Sequence, residues 1–409
     1  MYKFTLSSTK DIDINSLYLA LLNFVLASKN SKGFTVLVED LNKKDINETI
    51  LQNNIEILKK FSLARDDLLH YQSKNEKIYQ NFALKLLQDG NAYACFCDSK
   101  ICQSNCKELS KSEISKHKEK NREFVIRVNE PKNNIEIKDI LKGIIEVDCN
   151  KIDSFAILKS SGEPTSEFAN AIDNMLMNIS TNIAFEKDIE ALAKEVYIHN
   201  LLNYKDQINY LTIPSIKYDF EATIKNLFIN GFMPDSIINY IFLLNFKFDK
   251  EIFYLPYIVD NLNLESLTKA KTKFELKELK VINKEHLVTM DDKRLSMLFG
   301  FADSSIGKVA KLYLDEGGTL NELEANIKAL FAPKNCTKEL KELVAIIKDA
   351  PIFSDFSSFK EYLKDQLSFN DSILDNFLRE LLAPNSKSIE LSEIYKLINP
   401  YLLEVARCQ

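Results

Sequence analysis

Residues 2–40 read YKFTLSSTKDIDINSLYLALLNFVLASKNSKGFTVLVED, and this stretch decides the fold. Tyr2 to Leu6 alternates apolar and polar side chains, the period of a strand with one buried face. Ser16 to Ala27 is an apolar run of helical length, and Phe34 to Val38 is a short β-rich run. Strand, helix and strand in that order open a parallel sheet covered by helices.

Working outward, amphipathic helices are expected near 46–62 and 76–89, so 1–95 forms the first half of an α/β domain. From 96 to 152 the pattern changes to clustered cysteines, a stretch rich in lysine and glutamate through Arg122, and short strands at Phe124 to Val128 and Ile144 to Val147. This region reads as an insertion. Alternation returns with Phe155 to Leu158, Ser166 to Met177, Asn182 to Phe185 and Ile189 to Leu202, which places the second half at 153–212. Everything after about 213 reads as helix after helix, divided at 213–289 and 290–409.

Composition narrows the chemistry. Nine glycines and nine prolines in 409 residues are few against averages of roughly 7% and 5%, so long helices are favoured over tight turns. No two glycines have the spacing of a dinucleotide or Walker phosphate loop. A net charge of -6 argues against sequence-blind adhesion to nucleic acid and against DNA as a partner. The apolar run Leu17 to Ala27 is about half of the ~20 residues a membrane helix needs, and Met1-Tyr2-Lys3-Phe4 begins like a strand rather than a signal peptide. A cytoplasmic protein with no membrane partner is expected.

Seven cysteines in a reducing compartment should be thiols or metal ligands rather than a disulfide framework. Four of them, Cys95, Cys97, Cys102 and Cys106, offer soft ligands at a spacing suited to tetrahedral structural zinc. Cys149, Cys336 and Cys408 stand alone and read as packing or surface residues. The histidines His70, His117, His199 and His286 accompany no nucleophile or metal motif.

Seven blocks, in order, carry a resemblance to the bacterial glutamyl-tRNA synthetases. Residues 4–24 lie on that family's first strand, HIGH motif and first helix; Phe34 to Asp40 (FTVLVED) resembles the strand ending in RIED. Ala92 to Cys97 (AYACFC) resembles the strand entering the zinc region, and Asp153 to Phe168 (DSFAILKSSGEPTSEF) resembles DFVIxRSDGxPTYxF. Asn230 to Pro234 with Asn239-Tyr240, Phe274 to Leu287, and Ile389 to Leu402 resemble the helical segments that follow. The resemblance implies a Rossmann-type class I synthetase catalytic domain with a zinc-containing insertion, then a stem-contact-like region and an all-α anticodon-binding-like region.

That family joins a carboxylate to the α-phosphate of ATP, which demands positioning and positive or N–H groups around spreading negative charge. Here the HIGH positions read Asp13, Ile14, Asn15 and Ser16, so an acid stands in the place of the first histidine. Like charges ~4 Å apart repel by about 1 kcal/mol in water and about 4 at an effective dielectric of 20. The KMSKS-type loop is reduced to Ser215–Ala222, leaving Lys217 beside two acids. Arginines that would fork onto a carboxylate are replaced by Lys3, Leu37 and Ala184, and the tyrosine of PTYxF by Ser166. Ser7, Glu39, Asn170 and Asp173 stand where matching polar residues would be, either as a residual substrate pocket or as caps and core hydrogen bonds.

Two functions of different class follow. One is a non-catalytic paralogue that binds tRNA or a protein partner such as a true synthetase or an amidotransferase. The other is a working glutamate–tRNA ligase in which ATP is handled by Mg²⁺ and the surviving polar groups. A truncated relative that glutamylates a modified tRNA nucleoside ranks third, since such proteins lack the helical C-terminal half.

Overall fold

The computed structural model describes the whole chain except residues 43 and 98–100. Its first strand, β1 (Tyr2–Ser7), runs parallel to β2 (Phe34–Glu39) with Tyr2 opposite Phe34 and Ser7 opposite Glu39, and α1 (Ile14–Lys29) crosses between them. The apolar run forms α1 because Leu17, Leu21, Leu22 and Val25 all go fully into the core. Asp13 caps the helix by accepting from the Ser16 backbone N–H at 2.7 Å. After α2 (Glu48–Lys60), β3 (Leu69–Tyr71) extends the sheet in parallel, and α3 (Glu76–Gln88) follows.

The next stretch holds β4 (Ala92–Cys95), α4 (Lys111–Glu119), β5 (Val125–Val128), β6 (Ile135–Asp139), β7 (Gly143–Val147) and β8 (Ala156–Leu158). Strands β4, β5 and β8 make an antiparallel sheet with β5 in the middle. The chain then alternates through α5 (Ser166–Leu176), β9 (Thr181–Phe185), α6 (Ile189–Leu201) and β10 (Asn209–Ile213). A four-stranded sheet runs β7-β6-β10-β9, with β10 parallel to both neighbours. Asp139 joins β6 to β10: its buried carboxylate accepts from the Thr212 N–H and hydroxyl, both at 2.7 Å, and from the Leu141 and Lys142 N–H groups. Four donors answer one buried charge, as a buried carboxylate requires. Phe168, Ala171 and Ile172 of α5 sit in the centre of the α/β core with Tyr79, Ile157 and Ala193.

Helices follow: α7 (Ile224–Ile229), α8 (Pro234–Asn245), α9 (Leu255–Asn261), α10 (Leu276–Thr289), α11 (Asp292–Leu298), α12 (Ser305–Leu312) and α13 (Leu320–Phe331), with further helices to Val405. Two compact units result, 1–226 with 241–274, and 227–240 with 275–409, so the division falls within α7 and α8. The second unit has its own all-helical core around Leu287, Ile306, Tyr313, Leu343, Phe359 and Leu378. Among the described residues no helix is long and apolar enough to cross a membrane.

One expectation is overturned in this unit. Cys336 and Cys408 are not isolated packing or surface residues but are bonded to each other across 72 positions of sequence, Cα to Cα 5.5 Å. A short parallel bridge brings them together, in which Lys334 N–H donates to Arg407 O at 2.8 Å and Gln409 N–H donates to Lys334 O at 2.9 Å. Spacing along the chain carries no trace of such a meeting, because it depends on where the last residues return.

Candidate functional site

The free N–H groups at a helix start form a natural anion site, and α1 offers one next to the sheet. Here it is filled by the chain itself. Asp13 takes the Ser16 N–H with one carboxylate oxygen and accepts from the Tyr218 hydroxyl at 2.7 Å with the other. Asn15 clasps the backbone of Ile216, accepting from its N–H at 2.9 Å and donating to its carbonyl at 3.0 Å. Ile14 N–H donates to Ala222 O, Ile224 N–H donates to Ile12 O, and Asp13 bridges Thr223. The short connector after β10 is therefore strapped across the start of α1. Burial, joined by the Asp13 carboxylate, holds the Tyr218 hydroxyl above the ordinary phenol range.

A cavity of about 400 Å³ opens between β1, α1, β2, α5, β9 and α6. Glu39 and Asn170 line it, as do Lys3, Ser166 and Ala184. Ser7 lines instead a neighbouring cavity of about 220 Å³, with Glu39 common to both. Asp173 lines neither cavity. It is fully buried, and its carboxylate accepts from the Tyr79 hydroxyl at 2.8 Å and from the Gln72 amide at 2.9 Å. Gln72 and Lys3 each also donate to Asn170 Oδ1 at 3.4 Å, so Lys3, Asn170, Gln72, Asp173 and Tyr79 form one chain of polar contacts. Burial raises the Asp173 carboxyl above the usual carboxylate range, with Lys3 and the hydrogen bonds opposing; burial lowers the Lys3 ammonium, with Asp173, Glu195 and Glu39 pulling it back. Leu37 is fully buried in the sheet and offers no polar group to the site.

In the insertion, the sulfurs of Cys95, Cys97, Cys102 and Cys106 all lie within 4.8 Å of one another, with Cys97 and Cys106 3.6 Å apart. Strand β4 supplies Cys95, and a left-handed Asn105 turns the backbone so that Cys106 points back at it. Hydrogen bonding from Ser104 lowers the Cys97 thiol to about 6, while burial pushes Cys106 up to about 12. Four soft donors in so small a volume can hold a metal ion, which would be needed to keep all four ionised together.

Elsewhere three of the four histidines have structural places. His199 bonds Ala171 O and His286 bonds Asn239, both buried, while His117 stacks on Phe96 with ring centres 4.6 Å apart. Lys311, one of the basic residues of the helical region, is held by Met290 O and Asp292. Tyr218 and Glu195 were missed from sequence. Glu195 carried a signal, because with Leu192 and His199 it occupies the helical spacing of a buried stripe, and all three are in the core. Tyr218 carried none, since its role depends on the fold of the connector.

The family model described as tRNA synthetases class I (E and Q), catalytic domain, matches residues 3–281. Glutamate–tRNA ligase 2 of Sulfurovum sp. (strain NBC37-1) is 36% identical over 429 aligned positions, covering 99% of this chain and all of the relative. Glutamate–tRNA ligase 2 of Sulfurimonas denitrificans is 33% identical, covering the whole of both chains. Among solved structures, a glutamate tRNA ligase from Elizabethkingia meningosepticum superposes with a TM-score of 0.80 over 99% of this chain and 97% of that one, at 18% identity, which speaks to the fold alone. The full-length relatives and the family match together place this chain in the class I tRNA synthetases, as a member of the glutamyl-tRNA synthetase family.

Proposed function

We propose that this chain is a non-catalytic paralogue within its family, a cytoplasmic tRNA-binding or protein-binding module that no longer makes an aminoacyl-adenylate. The observation that carries this reading is the closed start of α1. A triphosphate placed there would face the Asp13 carboxylate and would have to displace the connector that Asn15, Ile14 and Ile224 hold in place. Catalysis of phosphoryl transfer depends on fixed positive and N–H groups at the developing charge, and these are the groups missing or already used. The protein partner in this reading is a true synthetase or an amidotransferase that uses the intact scaffold as a docking body.

Zinc is the metal proposed for the cysteine cluster. At Zn–S distances of about 2.3 Å, tetrahedral geometry sets sulfurs about 3.8 Å apart, a spacing reached by a small contraction of the cluster. Cys95, Cys97, Cys102 and Cys106 would hold it with no open position, so its contribution would be to the folding of the insertion rather than to chemistry.

A second reading, a divergent but active glutamate–tRNA ligase using ATP and Mg²⁺, is favoured by the names of the full-length relatives. Glutamate-dependent exchange of pyrophosphate into ATP separates the two. The purified full chain is expected to give no exchange above background, at least about 1,000-fold below an active ligase, as follows from loss of more than one stabilising group. Exchange at a ligase-like rate would refute the non-catalytic reading. In a gel shift against total tRNA, retained binding is expected to weaken steeply between low and physiological salt, because each phosphate contact contributes a slope of roughly -0.7 to -0.9. A complex indifferent to salt would contradict tRNA as the partner.

A further inference from the structure

The bond between Cys336 and Cys408 joins the loop after α13 to the last residues of the chain. Both cysteines are half-buried, and their neighbours Asn335, Thr337, Arg407 and Gln409 are exposed, so a thiol from solution can reach the sulfurs. In the cytoplasmic setting proposed above, disulfides are usually transient and redox-sensing rather than permanent.

The surroundings give reduction something to release. Two backbone hydrogen bonds on Lys334 flank the disulfide, and Arg407 Nη2 donates to Phe331 O at 2.7 Å. The Lys334 side chain, 9% exposed, donates to the carbonyls of Ala329, Leu330 and Ala332 at 2.7–2.9 Å, acceptors that the end of α13 leaves open. One loop therefore ties the end of α13 to the short last helix, Leu402–Val405, which packs on α13. Upstream, the Tyr401 ring stands edge-on to Phe301 and Phe331, with ring centres 6.2 and 5.8 Å apart, and its hydroxyl donates to Asp303. That anchor is independent of the sulfurs and limits what can come loose to residues 402–409.

We propose that Cys336 and Cys408 form a reversible redox clasp, which holds residues 402–409 against α13 when oxidised and lets them open when reduced. The co-reactant is a thiol. Its thiolate attacks one sulfur, the S–S bond breaks, and the other cysteine leaves as a thiolate; a second thiol then resolves the mixed disulfide. Two electrons and two protons pass to the pair, and the co-reactant departs as a disulfide. Val405 and Ala406, fully buried beside the clasp, are the apolar groups that opening uncovers. This goes beyond the loss of adenylation; it rests on the cytoplasmic setting alone and is tested without ATP or tRNA, so either reading can fail alone.

For the test, the full chain is equilibrated in glutathione buffers from the oxidised form alone to a roughly 100-fold excess of the reduced form, then acid-quenched and alkylated. Mass spectrometry of the peptides carrying Cys336 and Cys408 should show the pair passing from disulfide to dithiol within that range. Backbone hydrogen exchange across 402–409 should quicken at least about tenfold over the same range while α1 is unchanged, because loss of the cross-link makes local opening more frequent. The double variant Cys336→Ser, Cys408→Ser should exchange at the reduced rate in every buffer, and Cys149→Ser should behave as the parent chain. A bond that survives the most reducing buffer, cysteines left free in oxidised glutathione, or equal exchange across 402–409 in both states would each overturn the proposal.

Discussion

Cys106→Ser is expected to abolish stoichiometric zinc in the purified protein and to open the insertion to proteolysis, while the two helical and sheet cores stay folded. The effect should be large because a structural zinc contributes on the order of 10–16 kcal/mol of apparent binding free energy to the fold that creates its site. Cys106 is the most telling ligand to remove. It is 4% exposed, and burial pushes its thiol to about 12, so only a cation can keep it ionised at neutral pH. Other bracing is modest: α4 has no buried residue and is held by its capping box of Ser110 and Glu113 and by His117 stacked on Phe96. Acidification should act in the same direction, as protons compete with the metal for the thiolates. Metal content by elemental analysis and limited proteolysis around 97–122 are the measurements. Full zinc occupancy in the serine variant, or an unmetallated wild type with the same protease resistance, would remove zinc from the account.

Gly307→Ala should destabilise the second unit by about 3 kcal/mol, although alanine is the better helix former by about 1 kcal/mol. Packing opposes propensity here and is the larger effect. A Cβ at 307 would stand 2.8 Å from the Asp292 carbonyl carbon and closer still to its oxygen. These are backbone atoms at the start of α11, so no side chain can swing aside. The same close approach lets Gly307 N–H donate to the Ser296 hydroxyl at 2.6 Å, in the buried seam between α11 and α12. Gly33→Ala is the control. Its Cβ would meet only the Met1 side chain at 3.7 Å, and a change within about 0.5 kcal/mol is expected. Urea unfolding of both variants provides the comparison, and a neutral or stabilised Gly307→Ala would show that the two helices can part.

Much of this architecture could be read in advance where a local pattern leaves one solution. The run Ser16 to Ala27 could only be a buried helix, and the bounds of α5, β9 and α6 fall within two residues of the periodic segments. Strand β6 was overlooked although its IEIKD pattern buries alternate residues, and α4 was overlooked although Ser110 and Glu113 spell a capping box. In both cases the charged composition masked a short-range signal. Among the site residues, Glu39 and Asn170 share a cavity, Ser7 stands in the next one, and Asp173 lies beneath, because α5 turns residue 173 inward and 170 toward the opening.

By itself the sequence determined the order of most strands and helices and set four cysteines close enough along the chain to share a metal. These follow from side chains within a few positions of one another, where periodicity and composition act directly. Only the tertiary structure decided that Tyr218 and Ile216 close over the start of α1, that Cys336 meets Cys408, and that Lys3, Glu39 and Glu195 line one cavity. Each of those depends on parts of the chain distant in sequence, whose approach is set by how the cores pack rather than by any neighbour along the backbone.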